Sequence, residues 1–99
     1  LLRHTNHIEK ALIQITLLHQ QENNIHRFIE AIMQIPEVVE CHQVTGDYDY
    51  HIKVYTSDIS ALDKLITDRI SKNPEVGTIK SHIILNEIKQ SRVVPFLKN

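Results

Sequence analysis

From Glu9 onward apolar and polar residues alternate, with Ala11, Ile13, Ile15 and Leu17 on one side and Lys10, Leu12, Gln14 and Thr16 on the other. A period of two predicts a strand. Residues 20–24 form a polar break in which Asn23 or Asn24 can cap a helix by accepting from its free N–H groups. Ile25, Phe28, Ile29, Ile32 and Met33 then recur every three or four positions, the apolar stripe of a helix, and Pro36 ends it. A second strand is predicted over 38–45. Its apolar residues Val38, Val39, Cys41 and Val44 occupy both faces, as in a strand covered on both sides. Gly46-Asp47 follows as a two-residue hairpin turn, with glycine supplying the positive φ of a type II′ turn. The third strand points Tyr48, Tyr50, Ile52 and Val54 inward and Asp49, His51, Lys53 and Tyr55 outward. Asp58 caps a second helix with the stripe Ile59, Leu62, Leu65, Ile66 and Ile70, and Asn73-Pro74 stops it. A long fourth strand over 77–88 puts Ile79, Ile83 and Leu85 on one side and Ile84 and Ile88 on the other. Residues 91–99 extend as an arm.

The order is β-α-β-β-α-β, and its halves echo each other. Ala11, Ile13, Ile15 and Leu17 lie 37 positions before Tyr48, Tyr50, Ile52 and Val54, and Pro36-Glu37-Val38 lies 38 before Pro74-Glu75-Val76. A duplicated βαβ unit predicts the α+β, ferredoxin-like split fold: a four-stranded antiparallel sheet with both helices on one face. The other face then carries Leu12, Leu18, Tyr55, Ile84 and Ile88 among polar groups. A half-apolar sheet face is costly to leave in water, so a homodimer packing sheet against sheet is expected.

The chain has 99 residues, enough for one domain. We divide it into a linker remnant (1–7), a folded domain (8–90) and the tail (91–99). Net charge is −1, and its lysines and arginines are scattered, which makes this segment a poor DNA grip by itself. No apolar run reaches membrane-spanning length and no signal peptide is visible, so a cytoplasmic protein is expected. The chain begins without methionine, as a piece of something longer would. The single cysteine, Cys41, excludes an internal disulfide and reads as a buried, inert thiol.

The hairpin gathers most of the functional groups. Asp47 and Asp49 are poor candidates for a catalytic pair, because turn acids are usually solvated or bonded to backbone N–H groups. A carboxylate that accepts from an ammonium group, beside glycine N–H groups that hold a carboxylate, suits an α-amino acid. A plain structural turn explains the same residues equally well. Seven histidines are present, but they form no His-Cys or His-Glu cluster of metal-finger spacing, and no metal or cofactor is expected. His42, His51 and His82 fall on three strands and read as hydrogen-bonding groups at an interface, able to make assembly sensitive to pH. Tyr48 and Tyr50 as base-stacking platforms are a weaker reading, since Tyr50 has helix-facing parity. An enzyme of this fold would need a deep pocket between helices and sheet, lined by His42 or His51 with a carboxylate.

The run from Glu40 to Tyr50, containing Gly46-Asp47-Tyr48-Asp49-Tyr50, and the later Asn86-Glu87-Ile88-Lys89-Gln90-Ser91 resemble the C-terminal effector domain of Lrp/AsnC transcription regulators. The resemblance spans nearly the whole chain. It implies a non-enzymatic domain that regulates amino-acid metabolism, dimerises through its sheets and assembles into tetramers or octamers. It implies an amino-acid effector bound between dimers, near the hairpin loop and the last strand. By position this nominates Thr45, Gly46, Tyr48 and Asp49, together with Ser81, His82 and Ile83, and Asp47 joins them as the second acid of the turn. It also implies a helix-turn-helix DNA-binding domain upstream, absent from this chain. The alternatives are a stand-alone oligomerisation module and a small dimeric enzyme.

Overall fold

The structure is a computed structural model that describes residues 8–91 and 93–96. The predicted linker and the far end of the tail lie outside these residues. Four strands, β1 (Glu9–Leu17), β2 (Val38–Gln43), β3 (Tyr50–Thr56) and β4 (Val76–Ile83), form one antiparallel sheet in the order β2-β3-β1-β4. Helix α1 (Glu22–Met33) joins β1 to β2, and α2 (Ile59–Leu65) joins β3 to β4 after continuing as a π-helical turn over Ile66–Ile70. This is the expected ferredoxin-like architecture.

The two central strands follow the alternation. Ile13 pairs with Ile52, and Ala11 with Val54. These residues join Ile15, Leu17 and Tyr50 in one core with Phe28 and Ile32 of α1 and with Leu62, Leu65 and Ile70 of the second helical segment. Burying so many aliphatic side chains on one side of the sheet is the main driving force of the fold. Met33, 72% exposed, and Ile29 lie at the margin of the α1 stripe. Asp58 caps α2 as predicted, accepting from the Ala61 N–H at 2.8 Å.

Four expectations change. Neither asparagine caps α1. Its N-cap is Gln21, without a side-chain cap bond. Asn24 instead donates to Glu75 Oε1 at 2.7 Å, because a long-range tie to a buried carboxylate competes for the same amide. Strand β2 lies at the sheet edge and is not covered on both sides. Val38 pairs with Val54 and Glu40 with Lys53, which leaves Val39 as the extra residue of a β-bulge, 48% exposed. Strand β4 ends at Ile83, not at 88. The Ile84 N–H makes a last bond to the Lys10 carbonyl at 2.8 Å, near the start of β1 at Glu9, so the chain beyond has no ladder to join. Leu85, predicted to face the core side, is 93% exposed. The hairpin, finally, is wider than two residues.

Candidate functional site

Gln43 is the last residue of β2 to pair, with Tyr50. The Val44 N–H donates to the Asp49 carbonyl at 2.9 Å, so residues 45–48 form a four-residue loop. Gly46 supplies a positive φ of 113°, as the glycine-based prediction required. The predicted turn was too tight because Tyr48 and Asp49, assigned to the strand, belong to the connection. Thr45, Gly46 and Asp47 are exposed, and Tyr48 and Asp49 are half-buried.

Asp49 holds the loop against the end of β1. Its N–H donates to the Ile15 carbonyl at 2.9 Å. Its Oδ2 accepts from the Leu17 N–H at 2.9 Å and from Gln20 Nε2 at 2.8 Å. One carboxylate oxygen is thus committed to backbone and amide donors. Gln20, from the polar break after β1, is a partner that the alternation pattern had no means of showing.

The β4 residues sit elsewhere. Ser81 pairs with Ile13, His82 with Leu12 and Ile83 with Ala11, whereas the hairpin is tied to Ile15 and Leu17. The two groups are therefore displaced by about four residues, roughly 13 Å, along β1, and they lie on opposite sides of that strand. A single chain does not bring them together.

His82 and Leu12 lie on the face away from the helices. So do Gln14 and His51, a directly paired couple, and His42, which pairs with His51. Gln14 bridges two of the imidazoles: its Nε2 lies 3.1 Å from His51 Nε2, and its Oε1 lies 3.0 Å from His82 Nε2. His42 Nε2 lies 3.1 Å from Glu40 Oε1. The three histidines thus form a row of hydrogen-bonding groups across the sheet. At the other end of this face Glu87 bonds Lys10 at 2.7 Å and reaches Lys53 at 3.6 Å. Both ammonium groups lie over the Tyr55 ring, at 5.1 and 5.6 Å from its centroid. The hydrogen bond from Lys10 holds the Glu87 carboxyl below its ordinary range, and the same bond raises Lys10. The segment after β4 is pinned there through Glu87, while Leu12 beside it stays 43% exposed.

Tyr50 is in the core, its ring centroid 4.9 Å from that of Phe28. Base stacking is closed to it. Burial pushes the Cys41 thiol up, which disfavours the reactive thiolate. The enzyme alternative needed His42 or His51 in a pocket between helices and sheet. Both lie on the opposite face, and Ile13, Ile15, Phe28, Ile32 and Ile52 fill the interior. Among the described residues no group of three or more His, Cys, Asp or Glu is placed to hold a metal ion. Among them, too, no helix is long and apolar enough to cross a membrane.

The chain is thus a split βαββαβ sheet with a glycine-acid hairpin and one face free of helices. The sequence profile of the Lrp/AsnC ligand binding domain matches residues 10–94, and the chain belongs to the Lrp/AsnC family. It is 33% identical over 81 residues to the leucine-responsive regulatory protein of Escherichia coli strain K12, covering 82% of this chain and 49% of that protein. The chain thus spans about half the length of the curated relatives it matches. Among solved structures it is similar to the transcriptional regulator NMB0573 of Neisseria meningitidis, solved as a complex with L-Met, with a TM-score of 0.82 and 24% identity over 89% of this chain and 56% of that one. It is also similar to FFRP-DM1, with a TM-score of 0.69 and 31% identity over 78% of this chain and 99% of that one. The Neisseria structure is of a transcriptional regulator, and the Escherichia coli relative is a regulatory protein.

Proposed function

We propose that this chain is the amino-acid-sensing and assembly domain of a transcription regulator, working as a homodimer paired sheet to sheet. The observation that carries this reading is the helix-free sheet face of a ligand-binding domain: Leu12 and His82 are exposed there, and Gln14, His51, Lys53 and Tyr55 are half-buried outside the chain's own core. A second copy covers them. Further copies bring the Thr45–Asp49 loop of one dimer near Ser81, His82 and Ile83 of another, which one chain keeps apart. The family match and the L-Met complex of the Neisseria relative support an amino acid as the effector. The effector acts by binding one assembly state, tetramer or octamer, more tightly than another. DNA is reached through a helix-turn-helix outside this chain. The domain is cytoplasmic and carries out no catalysis.

The test is a titration with the standard amino acids while assembly mass is followed by light scattering and binding heat by calorimetry. One amino acid is expected to shift the mass distribution. No shift and no heat with any of them would remove sensing from the reading. FFRP-DM1, almost all of which this chain covers, favours a second reading in which the domain acts without an attached DNA reader. The full reading frame around this segment separates the two.

A further inference from the structure

Outside the hairpin and the sheet face, an open cleft of about 310 Å³ lies between one flank of α2, with its π-helical continuation, and the turn that enters β2. Its lining residues on the helix are Ala61, Lys64, Leu65, Asp68 and Arg69, the i, i+3, i+4, i+7, i+8 set that shares one helix face. Ala61 and Leu65 form an apolar floor. Opposite stands Glu37, whose backbone is fixed by the bond from the Tyr55 N–H to its carbonyl at 2.9 Å.

Three observations coincide here. Glu37 Oε1 is buried and has no hydrogen-bond partner. A buried carboxylate oxygen left in that state is unfavourable and favours any donor that enters. Lys64 and Arg69 line the same cavity and form no ion pair with any described residue, whereas Asp68 already faces Lys72 at 3.8 Å. The helix changes at this point to a π-helical turn, closed by the bond from the Ser71 N–H to the Ile66 carbonyl at 2.7 Å. Such turns carry an extra residue and recur at binding sites. An acceptor without a donor, facing two cations without anions, across a volume fit for a metabolite, is complementary to a small zwitterion.

We propose that this cleft is a second ligand site, for a molecule of the amino-acid class. Its ammonium group draws the Glu37 carboxylate into the cleft and donates to it, and its carboxylate is taken by Arg69 and Lys64. Unlike the hairpin site, this one is complete within a single chain and does not depend on assembly.

The probe is each standard amino acid added to the isotope-labelled chain at up to ~10 mM, a range that reveals millimolar affinity, with amide shifts followed by NMR. A ligand of this site moves the signals of Glu37 and of residues 61–69, with the same affinity at concentrations where the chain is monomeric. A ligand of the hairpin site moves residues 45–49 and changes assembly mass instead, so either site can fail without the other. Glu37→Gln keeps the shape and removes the charge, and Arg69→Ala removes the anion partner. Each is expected to weaken binding about tenfold or more, the worth of one charge-assisted hydrogen bond, without unfolding the chain. Unchanged affinity in both variants overturns the proposal. So does the absence of any shift around Glu37 in the wild type, which would mean that Lys64 or Arg69 closes over the carboxylate in solution.

Discussion

At Gly77 a single added carbon meets a fixed neighbour. The bulge in β4 sets Gly77 and Thr78 against Thr16 alone, because Ile15 pairs with Ile79 and Leu17 with Val76. A Cβ on Gly77 would stand 2.8 Å from Thr16 Oγ1 and 3.4 Å from the Thr16 carbonyl oxygen. The hydroxyl is not free to turn away, since it accepts from the Thr78 N–H at 2.8 Å and bonds the Thr78 hydroxyl at 2.8 Å. Gly77→Ala should therefore cost about 1–3 kcal/mol, the usual penalty for overpacking. Urea unfolding measures it, and Thr16→Ala in the same chain should recover part of the loss if the clash is the cause. Gly46 differs: its Cβ would meet nothing within 4 Å, so its need for glycine comes from the positive φ alone. Gly46→Ala should cost about 1–2 kcal/mol, and Thr16→Ala should not rescue it.

Asp49 is the other residue whose role only the structure reveals. Removing its side chain leaves the partly buried Leu17 N–H without its partner. Asp49→Ala is expected to lose about 1–3 kcal/mol in the same unfolding assay, the cost of an orphaned donor. Asp49→Asn, which keeps an acceptor oxygen, should lose less. Loss of effector response in Asp49→Ala would therefore report a loosened hairpin as much as a missing ligand contact. Thr45 and Asp47, exposed on the same loop, are cleaner probes.

Among the elements, α1 and the turn entering β4 are joined by one carboxylate. Glu75 is 8% exposed. It accepts from Arg27 Nε at 2.8 Å and from Asn24 at 2.7 Å, and its carbonyl accepts from the Leu18 N–H at 3.0 Å. The hydrogen bond from Arg27, followed by that from Asn24, holds its carboxyl below the ordinary 4.5. The folded chain thus binds fewer protons at this group than the unfolded chain around that pH. The stabilisation is present above about 4.5 and is lost as pH falls through the lowered folded value. Glu75→Gln should be less stable than wild type at pH 7, and the gap should close towards pH 3. Melting curves across that range check it. A gap independent of pH would assign Glu75 a role in packing, not charge.

The same scale shows what the residue pattern reveals. The alternation in β1, the stripe through Phe28 and Ile32 and the cap at Asp58 were legible, because each rests on local periodicity and one burial direction. The bulges were not. Val39 inserts one residue into β2 and resets its faces, so Val38 and Cys41, three apart, both point to the helix side. Simple parity reads that as a strand apolar on both faces. The end of β4 was hidden for a related reason: Leu85 and Ile88 continue a strand-like pattern where β1 has no further residues to pair. The site was half legible. Glycine and acids marked the hairpin, but the partners of Asp49 and the pairing of Glu37 with the α2 face depend on contacts distant in sequence.

For the whole molecule, the row of histidines bears on assembly. Gln14 has one amide oxygen and one amide nitrogen, and it serves two imidazoles. With its Nε2 against His51, that ring must accept, and its Oε1 takes the N–H of His82. Without the Gln14 amide neither imidazole keeps this partner, and each leaves an unpaired ring nitrogen. The surroundings do not relieve this. Lys10, Lys53 and Lys80 share the face, Glu87 is engaged with Lys10 and Lys53, and Glu40 with His42. In an isolated chain, water meets such unpaired groups. Under a second sheet that water is excluded and the mismatch is felt in full. Gln14→Leu removes both contacts at once, so a sheet-paired dimer of that variant should dissociate more readily than the wild type. Sedimentation of the two chains across a concentration series measures this. A variant dimer as tight as the wild type would place this face outside the interface.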